Sequence, residues 1–412
     1  MKILQISDIH WTKRNHWNAN FPGMKARLLV DIKEFIEAGN EIDYIFICGD
    51  IAYKGIKEEY EKALAYIDDI CKIIGRTRED VFVVPGNHDL NRSAPGHQTR
   101  EMINASLAFE PNNEAFLDDV LLKNGVLRKD LFAAFTDYNV FAGNFFCKEE
   151  VMNKCITGKE SDAIDDSDKL YYEEKLSKKA GDIDVTIRGV NTALNCDGWD
   201  WNEDNQKGHR QMLPHRAYVM EKEEKQVLRI IMGHHPLPFL TSGEEVKDYL
   251  DNHYHIQLFG HVHIQSIDDG NCVSVQSGAL DPPRDGKNDE YLPVYNIIDI
   301  TQKDATHVVV KGISQIWDKN KFVNNNAGSF EKVITVERNV NKWGTQRMET
   351  PEIDKRAVKF KFMKQDDRTS YFNKIAGVDF EPSGNNEYDN CLEFLSVLEK
   401  MNKLAKLNEL LK

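Results

Sequence analysis

The chain has 412 residues, 41% of them apolar, and a formal net charge of −14 at pH 7. That length and apolar share allow a large core with insertions, and the acidic balance argues against a protein that binds nucleic acid over its whole surface. Nothing approaches the run of about 20 apolar residues needed to span a membrane, and seven scattered cysteines with no Cys-x-x-Cys pair fit a reducing cytoplasm better than a disulfide framework.

Residues 2–7 read as a first strand that begins at the N-terminus, so no signal peptide is expected. The spacing of Leu28, Leu29, Ile32, Phe35 and Ile36 predicts a helix over 25–38, closed by Gly39-Asn40. Residues 44–48 form a continuous apolar run, as in a strand covered on both faces. A helix follows over 57–74, then a strand at 81–84. The β-α-β-α-β rhythm implies a mostly parallel sheet.

Residues 90–180 interrupt that rhythm and read as an inserted helical cap, with the aromatic-rich stretch 131–141 as packing rather than a ligand platform. Residues 159–169 are acidic and read as a loop. Strands are expected at 184–190, 226–232, 255–259, 271–276, 291–300 and 306–313, the last ones antiparallel, with a helix over 243–252. Residues 1–314 form the expected catalytic domain and 315–412 a C-terminal α+β extension, with strand-like runs at 332–337 and 357–363. The extension ends in an amphipathic helix over 388–411, suited to docking on the body, on a second copy or on a partner protein. Residues 301–412 carry 19 Lys and Arg against 16 Asp and Glu. The cluster Lys355, Arg356, Lys359, Lys361 and Lys364 lies there and reads as a solvated strand face.

Five short motifs carry the chemistry: Asp8-x-His10, Gly49-Asp50, Gly86-Asn87-His88-Asp89, Gly233-His234-His235-Pro236 and Gly260-His261-x-His263. Each follows a predicted strand, and open α/β sheets place their chemistry beyond strand C-terminal ends. Two cations roughly 3.5–4 Å apart can clamp a phosphate and activate water. They need carboxylate oxygens, imidazoles and a bridging ligand. Asp50, directly after a strand and a glycine, can bridge. Asp8 with His10, and His261 with His263, are two apart on extended chain and point to one side. Asn87 offers an amide oxygen. In the His234-His235 pair either ring could be the ligand.

In this order the motifs resemble the calcineurin-like metallophosphoesterase superfamily, in its cyclic-nucleotide phosphodiesterase and DNA-repair-nuclease branch. The resemblance covers residues 1–300 and implies a four-layer α/β/β/α sandwich. It implies that Asp8, His10 and His263 bind one metal, that Asn87, His234 and His261 bind a second, and that Asp50 bridges them. Of the adjacent pair, the Gly-His-x-Pro pattern favours His234, leaving His235 to pack or bind substrate. His88 would protonate the leaving alkoxide and Asp89 would orient His88. A metal-bridging hydroxide would be the nucleophile. Two divalent ions are expected, manganese before iron, zinc or nickel.

Asn191 and Arg92 are candidate phosphate contacts, since the Arg fork matches phosphate oxygens. Trp11, His16, Trp17, His209 and Arg210 are candidate pocket residues. The expected reaction is hydrolysis of a phosphodiester of a nucleotide or nucleic acid, because Gly49-Asp50 continues as Ile51-Ala52-Tyr53-Lys54-Gly55 and lacks the arginine of the protein phosphatases. A phosphomonoesterase is the alternative, as is a subunit of an antiviral or DNA-processing complex whose fold mainly binds a partner.

Overall fold

The computed structural model describes residues 1–12, 23–109, 130–145, 171–197, 211–218, 226–241, 243–268, 272–282 and 291–336. The first sheet begins with β1 (Lys2–Ile6), β2 (Tyr44–Ile47) and β3 (Val81–Val83), parallel and in that order. All four residues of β2 are buried, as its unbroken apolar run requires. The crossovers are α1 (Met24–Glu37) and α2 (Lys57–Ile74). Helix α1 buries Met24, Leu28 and Ile32, one stripe at four-residue spacing, and packs on α2. Helix α2 stops at Gly75, whose φ of 68° is the left-handed conformation that suits glycine at a helix end.

Between residues 90 and 180 lie α3 (His97–Phe109), α4 (Thr136–Ala142) and then β4 (Tyr171–Lys175). The aromatic stretch is core, as expected. Phe141 stacks on Tyr60 of α2 at 5.0 Å, and Leu131, Phe135, Tyr138 and Phe145 are buried beside it. Strand β4 was not expected, since Tyr-Tyr-Glu-Glu-Lys is charged, but an edge strand tolerates charge on its exposed face. The run at 159–169 lies outside the described residues.

The second sheet has the order β4-β5-β6-β7-β9-β8. It is built from β5 (Asp184–Val190), β6 (Val227–Met232), β7 (Ile256–Phe259), β8 (Gln265–Asp268) and β9 (Val273–Ser277). Strands β5, β6, β7 and β9 are parallel, and the two edges are antiparallel. Helix α5 (His215–Tyr218) precedes β6, and α6 (Gly243–His253) is the crossover from β6 to β7.

The chain then returns to the first sheet. Strand β10 (Val294–Gln302) pairs antiparallel with β1, and β11 (His307–Asp318) pairs with β10. Strands β12 (Lys321–Asn324) and β13 (Phe330–Thr335) both pair with β11. The first sheet therefore continues past residue 314 without a break. The β11–β12 turn uses Lys319 and Asn320 at φ 45° and 78°, the left-handed pair of a tight hairpin without its usual glycine. Residues of both sheets share one apolar cluster. The two sheets thus close on each other, with helices outside, in the mixed α/β sandwich expected. The basic cluster at 355–364, the strand-like run at 357–363 and the helix at 388–411 lie outside the described residues.

Candidate metal centre

Strands β1, β2 and β3 in one sheet, and β5, β6 and β7 in the other, end at a common edge. The loop after β1 runs along the loop after β2: Asp8 N donates to Gly49 O, His10 N to Asp50 O and Trp11 N to Ile51 O, at 2.9–3.0 Å. The second sheet joins there through His234 Nδ1, which donates to Cys48 O at 2.7 Å. Among the described residues eight non-glycine residues have positive φ, and five of them are Asp8, His10, Asp50, His261 and His263, all candidate ligands. Left-handed backbone costs a non-glycine residue roughly 1–2 kcal/mol. Such strain persists where surrounding structure over-determines it, and it gathers at functional sites. Two motif glycines make room rather than bend. A Cβ on Gly86 would run into the Asp50 carboxylate, and one on Gly260 would strike Ser7 and come within 2.9 Å of an Asp8 carboxylate oxygen.

Asp50 is buried at the centre. Its Oδ2 lies 3.3 Å from both His10 Nε2 and His234 Nε2, and its Oδ1 accepts from His88 N at 2.7 Å. On one side His263 Nε2 is 3.1 Å from Asp8 Oδ1. On the other, Asn87 Oδ1 is 3.1 Å from both His234 Nε2 and His261 Nδ1. Ligand atoms of Asp8, His10 and His263 lie within 4.8 Å of one another, as do those of Asp8, Asp50 and His234. The seven expected ligands are thus brought together in two groups that share one carboxylate.

The donors fit cations. Asp8 Oδ1 is buried, and among the described residues its near partner is His263 Nε2 at 3.1 Å, outside good hydrogen-bond geometry, so a cation there would complete it. His10 Nδ1 donates to Asp281 O at 3.0 Å and His234 Nδ1 to Cys48 O. Those bonds fix the tautomer and leave each Nε2 lone pair facing Asp50, as metal-bound histidines require. Burial opposes charge on His10 and His234, but Asp50, supported by Asp8, outweighs it, and both are raised to about 9. Burial likewise opposes ionisation of Asp8, and His263 and His234 overcome it, lowering the carboxyl to about 2. His261 is pushed down to about 3 by burial and by the charge of His234.

The sequence profile of the calcineurin-like phosphoesterases matches residues 1–265. The chain belongs to the calcineurin-like phosphoesterase family. YydB of Bacillus subtilis (strain 168), described as an uncharacterized metallophosphoesterase-like protein, is 27% identical over 339 residues, covering 78% of this chain and 62% of its own length. This chain thus spans about three-fifths of that relative. Among solved structures, a dimetal phosphatase from Danio rerio is 12% identical with a TM-score of 0.40, covering 82% of this chain and 99% of its own. GAP50, the anchor in the inner membrane complex of Plasmodium, is 10% identical with a TM-score of 0.39, covering 82% and 89%.

In this family member the remaining candidates fall into place unevenly. His88 lies beside the centre, its ligand atom grouped with those of His10 and Asp50. Its Nδ1 donates to the backbone carbonyl of Tyr53 at 2.9 Å. Burial lowers its pKa, aided by the charges of His10 and Arg92 and opposed by Asp50. Asp89 does not orient it, contrary to expectation. The Asp89 carboxylate accepts from Ile51 N, Ala52 N, Gly86 N and Tyr60 Oη at 2.9–3.1 Å, so it ties the Asp50 loop to the His88 loop instead.

His235 is buried, with Nδ1 on Thr192 Oγ1 at 2.9 Å and Nε2 facing Cys196 Sγ at 3.8 Å. Both nitrogens have partners other than Asp50, although a ligand atom of His235 also lies within 4.8 Å of those of His234 and His261. Asn191 is buried at the end of β5. Its Oδ1 accepts from Ala193 N, and its Nδ2 has no partner. Arg92 is exposed. Trp11 is not an open stacking surface, because Tyr66 meets its edge at 5.5 Å and Lys25 Nζ sits 4.7 Å over its ring. His16, Trp17, His209 and Arg210 lie outside the described residues.

Sequence reasoning missed the aromatic groups at the centre. Tyr53 stacks on His88, Phe239 meets His261 edge-on at 4.6 Å, and Tyr291 meets His263 at 6.2 Å. For Tyr53 the available signal was an aromatic residue three positions after Asp50, in a loop bounded by glycines.

Proposed function

We propose that this phosphoesterase hydrolyses a phosphodiester of a nucleotide or nucleic acid. The carrying observation is Asp50 equidistant from two nitrogen-rich ligand groups, with His88 bonded to it through the backbone. Asp8, His10 and His263 would hold one divalent cation, Asn87, His234 and His261 the other, and Asp50 both. When bound, the two ions neutralise phosphate charge and activate water. The all-nitrogen-and-oxygen donor set suits manganese, with iron and zinc also compatible.

His88 moves the proton. Its Nδ1 is committed to the Tyr53 carbonyl, so exchange with the leaving oxygen falls to Nε2. Asn191 Nδ2, a buried donor without a partner, supplies a phosphate contact. A diester carries one negative charge where a monoester carries up to two. Among the described residues, the side-chain partners of the ligands are carboxylate, amide and imidazole groups, and the charge of Arg92 reaches His88. Without an arginine fork among those partners, a diester's single charge is left to the two ions. We also take the catalytic unit to extend through β13, because β11 crosses residue 314 within one sheet.

The test compares bis-p-nitrophenyl phosphate with p-nitrophenyl phosphate in manganese. A higher kcat/KM for the diester is expected. A strong preference for the monoester overturns the diesterase reading, and no hydrolysis of either overturns the enzyme.

A further inference from the structure

Tyr53 is 46% exposed, yet its backbone is fixed on every side. Its N–H donates to Trp11 O at 2.9 Å and to the buried Glu59 carboxylate at 3.1 Å, and its carbonyl accepts from His88 Nδ1. Two residues on, Gly55 at φ +63° presses the loop against Asp89, where a Cβ would come within 2.6 Å of the Asp89 carbonyl oxygen. The Tyr53 ring lies nearly parallel on His88, with centroids 5.0 Å apart and planes 26° apart, and meets the edge of His10 at 6.1 Å. A large apolar ring held this firmly has little conformational entropy to lose on binding.

We infer that Tyr53 is a specificity residue that stacks a planar leaving group, an aryl ring or a nucleobase, next to the proton-moving His88. The inference rests on the diesterase reading and names what the diester carries. For His88 Nε2 to reach the leaving oxygen, the group on that oxygen must lie beside the His88 ring. Tyr53 covers one side of that ring and turns its own free surface outward, so a planar group there gains a stacking face. An alkyl group gains less area and no quadrupole match. Base stacking on an aromatic side chain contributes roughly 1–3 kcal/mol, about a 5- to 150-fold effect.

The probes are two monoanionic phosphonates, methyl phenylphosphonate and methyl methylphosphonate. Their affinity for the manganese-loaded full chain is measured by calorimetry, with metal content checked in each variant. Tyr53→Leu is expected to weaken the phenyl ligand about 10-fold and leave the methyl ligand unchanged. Tyr53→Phe is expected to bind both as the parent does. Equal loss of both ligands in Tyr53→Leu would mean that Tyr53 only supports the His88 loop, and no loss of the phenyl ligand would mean that nothing stacks there. Either result overturns the inference. If the parent prefers the phenyl ligand but hydrolyses no diester, the reaction assignment falls and the Tyr53 assignment stands. If it hydrolyses diesters with no phenyl preference, the reverse holds.

Discussion

The seam between α2 and α4 and the edge where the two sheets meet are buried alike but built in opposite ways. In the seam, Tyr60, Tyr138, Phe141 and Phe145 lie ring against ring, and burial itself is the stabilising force. At the sheet edge, burial is a cost. Asp8 and Asp50 are almost inaccessible, Asp8 Oδ1 has only His263 Nε2 beside it, and five candidate ligands occupy left-handed backbone. The fold places a strained, charge-rich cluster on a framework held together elsewhere. Loss of function and loss of stability should therefore separate when the two regions are altered one at a time.

The largest effect is expected from Asp50→Asn, which removes the shared carboxylate. Turnover should fall by more than about 100-fold, and mass spectrometry of the metal content should show depletion of both ions. Full rate with both ions retained would break the site assignment. His88→Ala should lower kcat by about 10²–10⁴-fold, the usual range for a positioned proton-transfer group, with metal content unchanged. Loss of metal in that variant would make His88 a ligand instead.

Phe141→Ala should act the other way. Truncating a buried phenylalanine typically costs about 3–5 kcal/mol, visible as a lower denaturant midpoint, while metal stoichiometry and KM stay as they were. Metal loss without unfolding would mean that the seam and the centre are coupled.

The smallest effect is a pH dependence of the metal-stripped protein. His10 and His234 are raised from 6.5 to about 9 in the fold. Their charge pairs with Asp50 therefore stabilise fully below about 6.5, and that contribution is lost as pH rises through about 9. The melting temperature of chelator-treated protein should fall across that window. The loaded protein should not show the fall, because the ions replace the protons. Metal affinity should rise over the same range, since the competing protons leave. Stripped protein whose melting temperature is flat from pH 6.5 to 9 would show that these pairs do not form.

Much of the candidate centre was legible because each proposed ligand follows its own strand by a short step. An apolar run followed by Gly-Asp or by His-x-His marks both the strand end and the turn, and both are local. The parallel core strands were legible for the same reason. Strands β4, β8 and β12 were not. They are short or polar edge strands whose partners, not their composition, keep them extended. The role of Asp89 was illegible too, because its donors Ile51 N and Ala52 N lie 38 and 37 residues away.

The sequence by itself determined the family and the strand ends that carry the candidate donors, since these depend on spacing within a few residues. Only the tertiary structure decided between neighbouring side chains. His234 faces Asp50 because its Nδ1 reaches Cys48 O across 186 residues, while His235 turns to Thr192 and Cys196. The choice of Tyr53, not Asp89, to fix His88 has the same origin. Hydrogen-bond direction is set by which carbonyl lies opposite once strands pair and sheets pack, and chain-local chemistry does not encode that distance.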